Sequence, residues 1–201
     1  MLTTCSTLSP AYWRSALGEL KNLRRLIFAA LVVALGIVIS SLYIPVGENL
    51  RIYFKFLVYS IGSAVYGPFV GLLVGAAGDT LGFFIHPSGA YFPGYLLSEM
   101  LGCLIYALFL YRKRITILRL FLSKLIINVF VNILLGSLWS AMLYSKGFIY
   151  YMTKSVVKNL ALLPLEVAAM AALFALLIPQ LERLNALPRR PEGQKHIVPW
   201  F

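Results

Sequence analysis

Charged side chains are scarce in this sequence. Of its 201 residues, 12% are charged and 60% are hydrophobic, whereas a soluble domain carries roughly a quarter charged residues. This shortage of charge excludes an ordinary soluble globular domain. The hydrophobic residues form long blocks, and residues 26–44 run for 19 positions without a charge, close to the roughly 20 that a helix needs to cross a bilayer. The composition predicts an all-α membrane protein.

Residues that catalysis, metal binding or disulfide formation require are also few. The two cysteines, Cys5 and Cys103, and the two histidines, His86 and His196, are each isolated, so neither a disulfide nor a metal site is predicted. The sequence contains no G-x-S-x-G, H-E-x-x-H or phosphate-loop motif. We therefore predict no enzyme activity, no metal and no cofactor. A small intramembrane enzyme and a membrane assembly factor are the alternatives from other functional classes.

The apolar blocks predict six spans. The first covers residues 26–44, and a stretch of 34 residues follows at 52–85. As a single helix that stretch would extend ~51 Å, far beyond the thickness of a bilayer. The helix-breaking sequence Tyr66-Gly67-Pro68 divides it into the second and third spans. The last three spans are predicted at residues 93–111, 118–143 and about 154–178.

The distribution of charge sets the orientation of these spans. The net charge is +11, and with a cytoplasmic N-terminus the basic residues concentrate in the cytoplasmic segments 21–25, 112–119 and 183–190, as the positive-inside rule requires. The prediction is a compact bundle of six transmembrane helices with both termini cytoplasmic. No basic run is interleaved with aromatic residues in the way a nucleic-acid groove requires, so no nucleic-acid partner is predicted.

Three regions follow from this topology. Residues 1–24 form an N-terminal tail, in which Ser9 and Pro10 predict the start of a short amphipathic helix on the membrane surface; a tail without structure is the alternative. Residues 25–180 form the six-helix transmembrane domain. Residues 181–201 form a cytoplasmic C-terminal tail, which is either native or a remnant of cloning.

Polar side chains inside the predicted spans are costly and therefore informative. Lys124, Asn128, Asn132 and Trp139 fall within about 80° of each other on an ideal helix, which predicts one polar stripe along the fifth span. The intramembrane acids are Asp79, Glu99 and Glu166. For Lys124 we favour a side chain that extends to the membrane surface, and for Asp79 and Glu166 pairing with buried polar groups.

Basic and aromatic residues gather at the outer ends of the spans, where basic residues are normally scarce. The cations are Arg51, Lys55, Lys146, Lys154 and Lys158, and the aromatic residues are Tyr53, Phe54, Tyr91, Phe92, Trp139, Tyr150 and Tyr151. Extension to the outer headgroups explains one or two of the cations, and five suggest a site for an anionic ligand. An interfacial aromatic belt and a pocket for a flat heterocycle bearing carboxylates both account for the aromatic residues.

Small residues predict close packing of helices. Gly71, Gly75, Gly78 and Gly82 fall within about 60° on the third span, so a neighbouring helix can approach closely there. Ala30 and Ala34 form a small-x-x-x-small pair on the first span. Such a pair serves either packing within the bundle or contact with a partner helix.

Several segments resemble one known family. They are ALVVAL in the first span, IPVGENLRIYFKFL around Arg51, YGPFVGLLVGAAGDTLGFF through Asp79, HPSGAYFPGYLLSEMLGCLIYALFLYRK, LLGSLWSAMLYSKGF around Trp139, and KNLALLPLE from Lys158. Over roughly residues 24–180 the chain resembles the S-components of energy-coupling factor (ECF) transporters, most closely the folate-specific branch.

The resemblance implies a substrate-capturing subunit in a prokaryotic cytoplasmic membrane. Such a subunit binds a vitamin from outside, docks on a transmembrane coupling subunit driven by two ATPases, and topples to release its substrate. The expected ligand is folate, with another vitamin or precursor as the alternative. The expected substrate-binding residues are Arg51, Tyr53, His86, Tyr91, Trp139, Lys154 and Lys158, and the expected partner-docking residues are Ala30 and Ala34.

Overall fold

The long apolar blocks of the sequence form helices in a computed structural model of the chain, which describes residues 9–41, 43–47, 50–87, 91–144, 147–184 and 187. Within these residues, five helical segments are long and apolar enough to cross a membrane. They are α2 (Leu23–Ser40), α3 (Lys55–Ile85), α4 (Pro93–Leu110), the continuous segment Ile117–Leu143, and α7 (Phe148–Arg183). The predicted all-α membrane fold is confirmed.

Helix α3 is two antiparallel spans joined at Gly67. Gly67 has φ 78° and ψ −174°, a conformation that residues with a Cβ essentially never adopt. The ring of Tyr59 lies against Gly78, although 19 residues of continuous helix would separate the two by about 28 Å. The chain therefore reverses at Gly67, as predicted from the Tyr66-Gly67-Pro68 sequence. We name residues 55–66 α3a and residues 68–85 α3b; they complete a bundle of six spans.

The glycines of α3b allow the close packing that the sequence predicts. A Cβ at Gly75 would lie 2.7 Å from the Cα of Met100, and one at Gly71 would lie 3.5 Å from the carbonyl oxygen of Cys103. Both contacts join α3b to the backbone of α4. A Cβ at Gly82 would meet nothing within 4 Å, so the last glycine of the predicted stripe makes no close contact with another helix of the described chain.

A β-hairpin replaces the predicted end of the first span. Strand β1 (Tyr43–Gly47) pairs antiparallel with β2 (Leu50–Tyr53), so α2 ends at Ser40 rather than at residue 44. The prediction of a simple loop here was wrong. Aromatic and β-branched residues on both sides of Gly47 are the signal that could have indicated a hairpin.

The fifth span contains a π-helical segment that the sequence does not predict. It consists of α5 (Ile117–Ile126), a π-helix at Ile127–Leu135, and α6 (Gly136–Leu143). The wider i→i+5 hydrogen bonding of a π-helix turns the chain less per residue than an α-helix does. Side chains before and after the segment therefore point in directions that an ideal α-helix would not give.

A short helix, α1 (Pro10–Glu19), precedes the spans and begins after Ser9, whose side chain accepts a hydrogen bond from the Tyr12 amide. Tyr12 and Ala16 are fully buried against α4 and against Tyr111, the residue that follows it. The C-terminal end of α7 lies at the same end of the bundle, because Leu187 packs in one cluster with Leu181 and Leu110. The described residues nearest the two chain ends therefore lie at the same end of the bundle, the end that the sequence predicts to be cytoplasmic.

Buried apolar residues concentrate in the cytoplasmic half of the bundle. The largest cluster joins α3a, α4, α5, the π segment and α7, and its fully buried members include Leu110, Leu120, Met170 and Phe174. In α7, no described residue before Asn159 is buried. The outer half is therefore more open, and it carries most of the predicted site residues.

Candidate functional site

The helix ends bring the predicted site residues to the outer end of the bundle. Tyr53 ends β2, His86 follows α3b, Tyr91 precedes α4, Trp139 lies in α6, and Lys154 lies in the second turn of α7. The backbone of Arg51 belongs to β2, whereas its side chain, like the whole of Lys146, lies outside the described residues. These residues come from the hairpin that joins the first two spans and from the outer ends of the other four spans.

Trp139 is held in position by α4. Its indole Nε1 donates a hydrogen bond to Ser98 Oγ at 2.9 Å, and its ring lies 5.5 Å from that of Phe92. A Cβ at Gly94 would lie 2.7 Å from the Trp139 ring, so the absence of a side chain at Gly94 makes room for the indole. Trp139 therefore presents a fixed, half-buried aromatic face.

Tyr91 contributes a second aromatic group. Its ring packs edge-on against Phe83 of α3b, with centroids 5.2 Å apart, and 42% of the residue remains exposed. Tyr53 is exposed to a similar extent, 44%. The sequence does not predict the contact of Phe83 with Tyr91. Phe83 lies in an apolar run, where nothing distinguishes it from a lipid-facing residue.

Lys154 and Lys158 occupy one face of α7 at two depths. The ammonium of Lys154 lies 4.7 Å from the ring centroid of Tyr150, a cation–π contact, and the residue is exposed. Lys158 lies one turn further into the membrane, is half-buried, and interacts electrostatically with Glu166. The two lysines thus form a cationic path from the surface into the bundle.

Lys55 is not a free outer cation. Its ammonium lies 3.1 Å from Glu99 Oε1 and 4.9 Å from the ring centroid of Tyr59. Asp79 interacts electrostatically with the same pair. The sequence-based count of outer cations was therefore too high, because Lys55 is neutralised by an acid of α4.

A polar network links the π segment to α7 below this level. Glu166 accepts from Lys124 at 3.1 Å through Oε1 and from Asn128 at 3.1 Å through Oε2. The amide of Asn132 donates to Asn128 Oδ1 at 2.9 Å, and the hydroxyl of Ser155 donates to the main-chain oxygen of Asn132 at 3.0 Å. The network satisfies polar groups that would otherwise be costly in the membrane.

The structure differs from two predictions about this stripe, those for Lys124 and Trp139. Lys124 does not extend to the membrane surface: it is 3% exposed and lies 4.0 Å above the Phe56 ring. Glu166 does pair with buried polar groups, as predicted. Trp139 leaves the stripe and faces α4, because the π segment between Asn128 and Trp139 changes the rotation that an α-helix would give.

His86 links two helix ends instead of pointing at the aromatic groups. Its Nε2 lies 2.9 Å from the Ser41 hydroxyl, which joins the C-terminal ends of α2 and α3b. The same two residues close one end of a groove of about 750 Å³ along the outside of these helices. Its wall is apolar and includes Ala30, Ala34, Ala77 and Leu81.

Ala30 and Ala34 are therefore on the outer surface of the bundle. Both are exposed, so neither is buried against a neighbouring helix of this chain. Their small side chains form the floor of the groove between α2 and α3b.

Comparison with known proteins gives a consistent result. A profile described as the ECF-type riboflavin transporter S component matches residues 21–183. The folate transporter FolT of Clostridium novyi (strain NT) is 30% identical over 85% of this chain and 98% of its own length. FolT of Leuconostoc mesenteroides is 31% identical over 72% of this chain and 80% of its own length.

A solved structure agrees with these sequence matches. The crystal structure of FolT bound with folic acid superposes with a TM-score of 0.68 at 27% identity, over 74% of this chain and 91% of that one. The chain therefore belongs to the S-component family of ECF-type transporters, and it is a multi-pass protein of the cell membrane and not an enzyme.

Proposed function

We propose that this protein captures a folate from outside the cell for an ECF importer. The observation that carries the proposal is the similarity to two folate transporters over 98% and 80% of their lengths, together with the likeness to a FolT structure that holds folic acid. The outer end of the bundle supplies the chemistry that such a ligand needs, namely aromatic faces beside cations.

We match the two ends of a folate to groups at this end of the bundle. The flat pterin ring would pack against the half-buried Trp139 and the exposed Tyr91, since aromatic faces suit a planar heterocycle. The glutamyl carboxylates would meet Lys158, Lys154 and Arg51, since charge-assisted hydrogen bonds to carboxylates are the strongest available. Lys124 and Glu166 pair with each other, and the lysines of α7 are the cations that we assign to the ligand.

Riboflavin is the second candidate, because the matching family profile carries its name. Its isoalloxazine ring is also flat, but its ribityl chain bears hydroxyl groups and no carboxylate. The lysines of α7 would then have no anionic partner on the ligand. This difference makes the two vitamins distinguishable by mutation as well as by direct binding.

Transport requires partners that this chain does not supply. We infer that a transmembrane coupling subunit and two ATPase subunits complete the importer, since the family consists of S-components of ECF transporters. The groove that contains Ala30 and Ala34 is the surface we assign to the coupling subunit, because small exposed residues let a partner helix approach closely.

Isothermal titration calorimetry of the purified protein tests the ligand. We expect one folate to bind per chain without ATP, and riboflavin to bind much more weakly. Lys158→Ala and Arg51→Ala should each weaken folate binding by roughly 1.5–3 kcal/mol, the value of a hydrogen bond to a charged group. Arg114→Ala, which removes an exposed cation at the cytoplasmic end, should leave affinity unchanged.

Pteroate, which lacks the glutamate, tests the assignment of the cations separately from that of the aromatic residues. Lys158→Ala should weaken pteroate binding much less than folate binding. Tighter binding of riboflavin than of folate would overturn the choice of vitamin. Equal folate affinity in both alanine variants and the parent would show that neither residue contacts the carboxylates.

A further inference from the structure

The cytoplasmic end of the bundle carries a basic surface that the capture of a ligand from outside does not use. Apart from Arg183 at the end of α7, its described members are Arg14, Lys21, Arg24, Arg25, Arg112, Lys113, Arg114 and Arg119, which we call the cytoplasmic basic surface. Part of it belongs to α1, which lies before residues 21–183, the part matched by the family profile. The positive-inside rule accounts for the sign of this charge but does not identify what the exposed cations contact.

Glu19 is the carboxylate that lies among these cations, and it is already engaged. It is 6% exposed, accepts a hydrogen bond from the Tyr111 hydroxyl at 3.0 Å, and lies 3.3 Å from Arg25 and 3.7 Å from Arg112. The other described acid at this end is Glu182 of α7. Glu19 thus fixes the two arginines and neutralises part of their charge.

Four exposed cations of the cytoplasmic basic surface take no part in the ion pairs of Glu19. Arg14, Lys21, Arg24 and Arg114 are exposed, and none of them forms an ion pair within the described residues. Burial and, after it, the charge of Arg119 lower the pKa of Lys113. Positive charge is therefore crowded here, and an anionic partner would stabilise the surface.

An apolar edge lies directly beside these cations. Trp13 and Leu17 of α1 are 38% and 49% exposed, and the Trp13 ring packs edge-on against Tyr12 and Phe69, at 5.4 and 5.8 Å. The adjacent face of α1 is anchored, because the Tyr12 hydroxyl donates to the carbonyl of Ala107. An exposed indole and leucine next to basic residues is the pattern of a helix at the headgroup level of a membrane.

We propose that α1 and the turn after α4 bind an anionic phospholipid of the cytoplasmic leaflet. The phosphate would lie on Arg14, Lys21 and Arg24, and the acyl chains would pass beside Trp13 and Leu17. A soluble anion or a nucleic acid would use the cations and leave the apolar edge uncovered. Because Glu19 ties α1 to α2 and to Arg112, a lipid held here fixes the cytoplasmic end of the bundle at the membrane surface.

Native mass spectrometry of the purified protein can count the bound lipids. The protein is equilibrated in detergent with phosphatidylglycerol or with phosphatidylcholine of the same chain length. We expect phosphatidylglycerol to remain bound at concentrations where phosphatidylcholine does not. A basic residue near an anionic surface contributes about fivefold in affinity, so the triple variant R14Q/K21Q/R24Q should lose about a hundredfold. The matched control R14K/R24K keeps the charge and should retain the lipid.

Two further measurements complete the test. Raising NaCl should release phosphatidylglycerol from the unaltered protein, since salt screens exposed charges; this result does not depend on a variant folding. Trp13→Ala should weaken retention while leaving the cations in place. The proposal is overturned if the two lipids are retained equally, if the triple variant binds like the parent, or if inorganic phosphate, identified by its mass, displaces the lipid.

Discussion

The ammonium of Lys124 and the carboxylate of Glu166 form an ion pair of 3.1 Å between α5 and α7, with side chains only 4% and 12% exposed. The pair lies below the outer aromatic groups and is extended by hydrogen bonds through Asn128 to the π segment. The sequence predicted that Glu166 pairs with a buried polar group and that the side chain of Lys124 extends to the membrane surface. The two residues are instead each other's partners.

Breaking this pair from one side should be far more costly than replacing both members. Glu166→Leu leaves a buried ammonium without its counter-charge, and we expect it to lower the free energy of unfolding by about 3–5 kcal/mol. The double variant K124M/E166L should recover much of that loss, because an apolar pair of similar volume needs no compensation. Denaturation by SDS in mixed micelles measures both. Additive losses in the double variant would contradict the pairing.

Gly67→Ala should destabilise the protein strongly. Gly67 has φ 78°, which costs a residue with a Cβ about 1–3 kcal/mol, and the new methyl group would lie 3.1 Å from the buried Tyr111 ring. Thermal unfolding in detergent measures the effect. Gly82→Ala is the matched control, because a Cβ there meets nothing within 4 Å; equal melting temperatures for the two variants would refute the turn at Gly67.

The spans were predictable because hydrophobic length and helix-breaking residues act locally. Residues 93–111 correspond to Pro93–Leu110 and residues 118–143 to Ile117–Leu143, and Gly67 marks the reversal because its φ favours glycine. Helix α7 begins at Phe148 and ends at Arg183, beyond the predicted limits at both ends. Its polar first turns dilute the hydrophobic signal, although the helix continues through them.

The pairing of polar residues was less predictable, because it depends on which helices become neighbours. The sequence predicts Lys55 as one of the outer cations, whereas in the structure it pairs with Glu99 of another helix. The rotation between Asn128 and Trp139 depends on a π segment, which forms in response to packing and has no local sequence signal. The assignments of Arg51, Tyr53, His86, Tyr91, Trp139, Lys154 and Lys158 to substrate remain predictions.

Cysteine labelling should place the two ends of the bundle on opposite sides of the membrane. In a chain with Cys5 and Cys103 replaced by serine, a membrane-impermeant maleimide should label Ile149→Cys from outside intact cells. Ile149 is 79% exposed at the start of α7. Arg114→Cys, exposed in the turn after α4, should react only after the membrane is opened. Labelling of residue 114 in intact cells would invert the proposed orientation.

Enlarging Ala34 should separate ligand capture from transport. Ala34→Trp fills the groove between α2 and α3b, away from Trp139 and Lys158, so folate affinity should remain unchanged. ATP-driven uptake in vesicles that contain the partner subunits should fall to background if the coupling subunit docks there. Leu176→Trp, at a site on α7 that is 71% exposed, is the control and should support normal uptake. A parallel loss of affinity and uptake would argue against a docking role.

The reversal at Gly67 also constrains how the protein is made. Helix α3a has 12 residues and a rise of only about 18 Å, and it carries Lys55, Tyr59 and Tyr66. Such a segment is too short and too polar to partition into a bilayer alone, which takes roughly 20 apolar residues. With a single residue of connection, α3a and α3b must enter as one helical hairpin. A nascent chain that stops before α3b would therefore leave its second crossing outside the membrane.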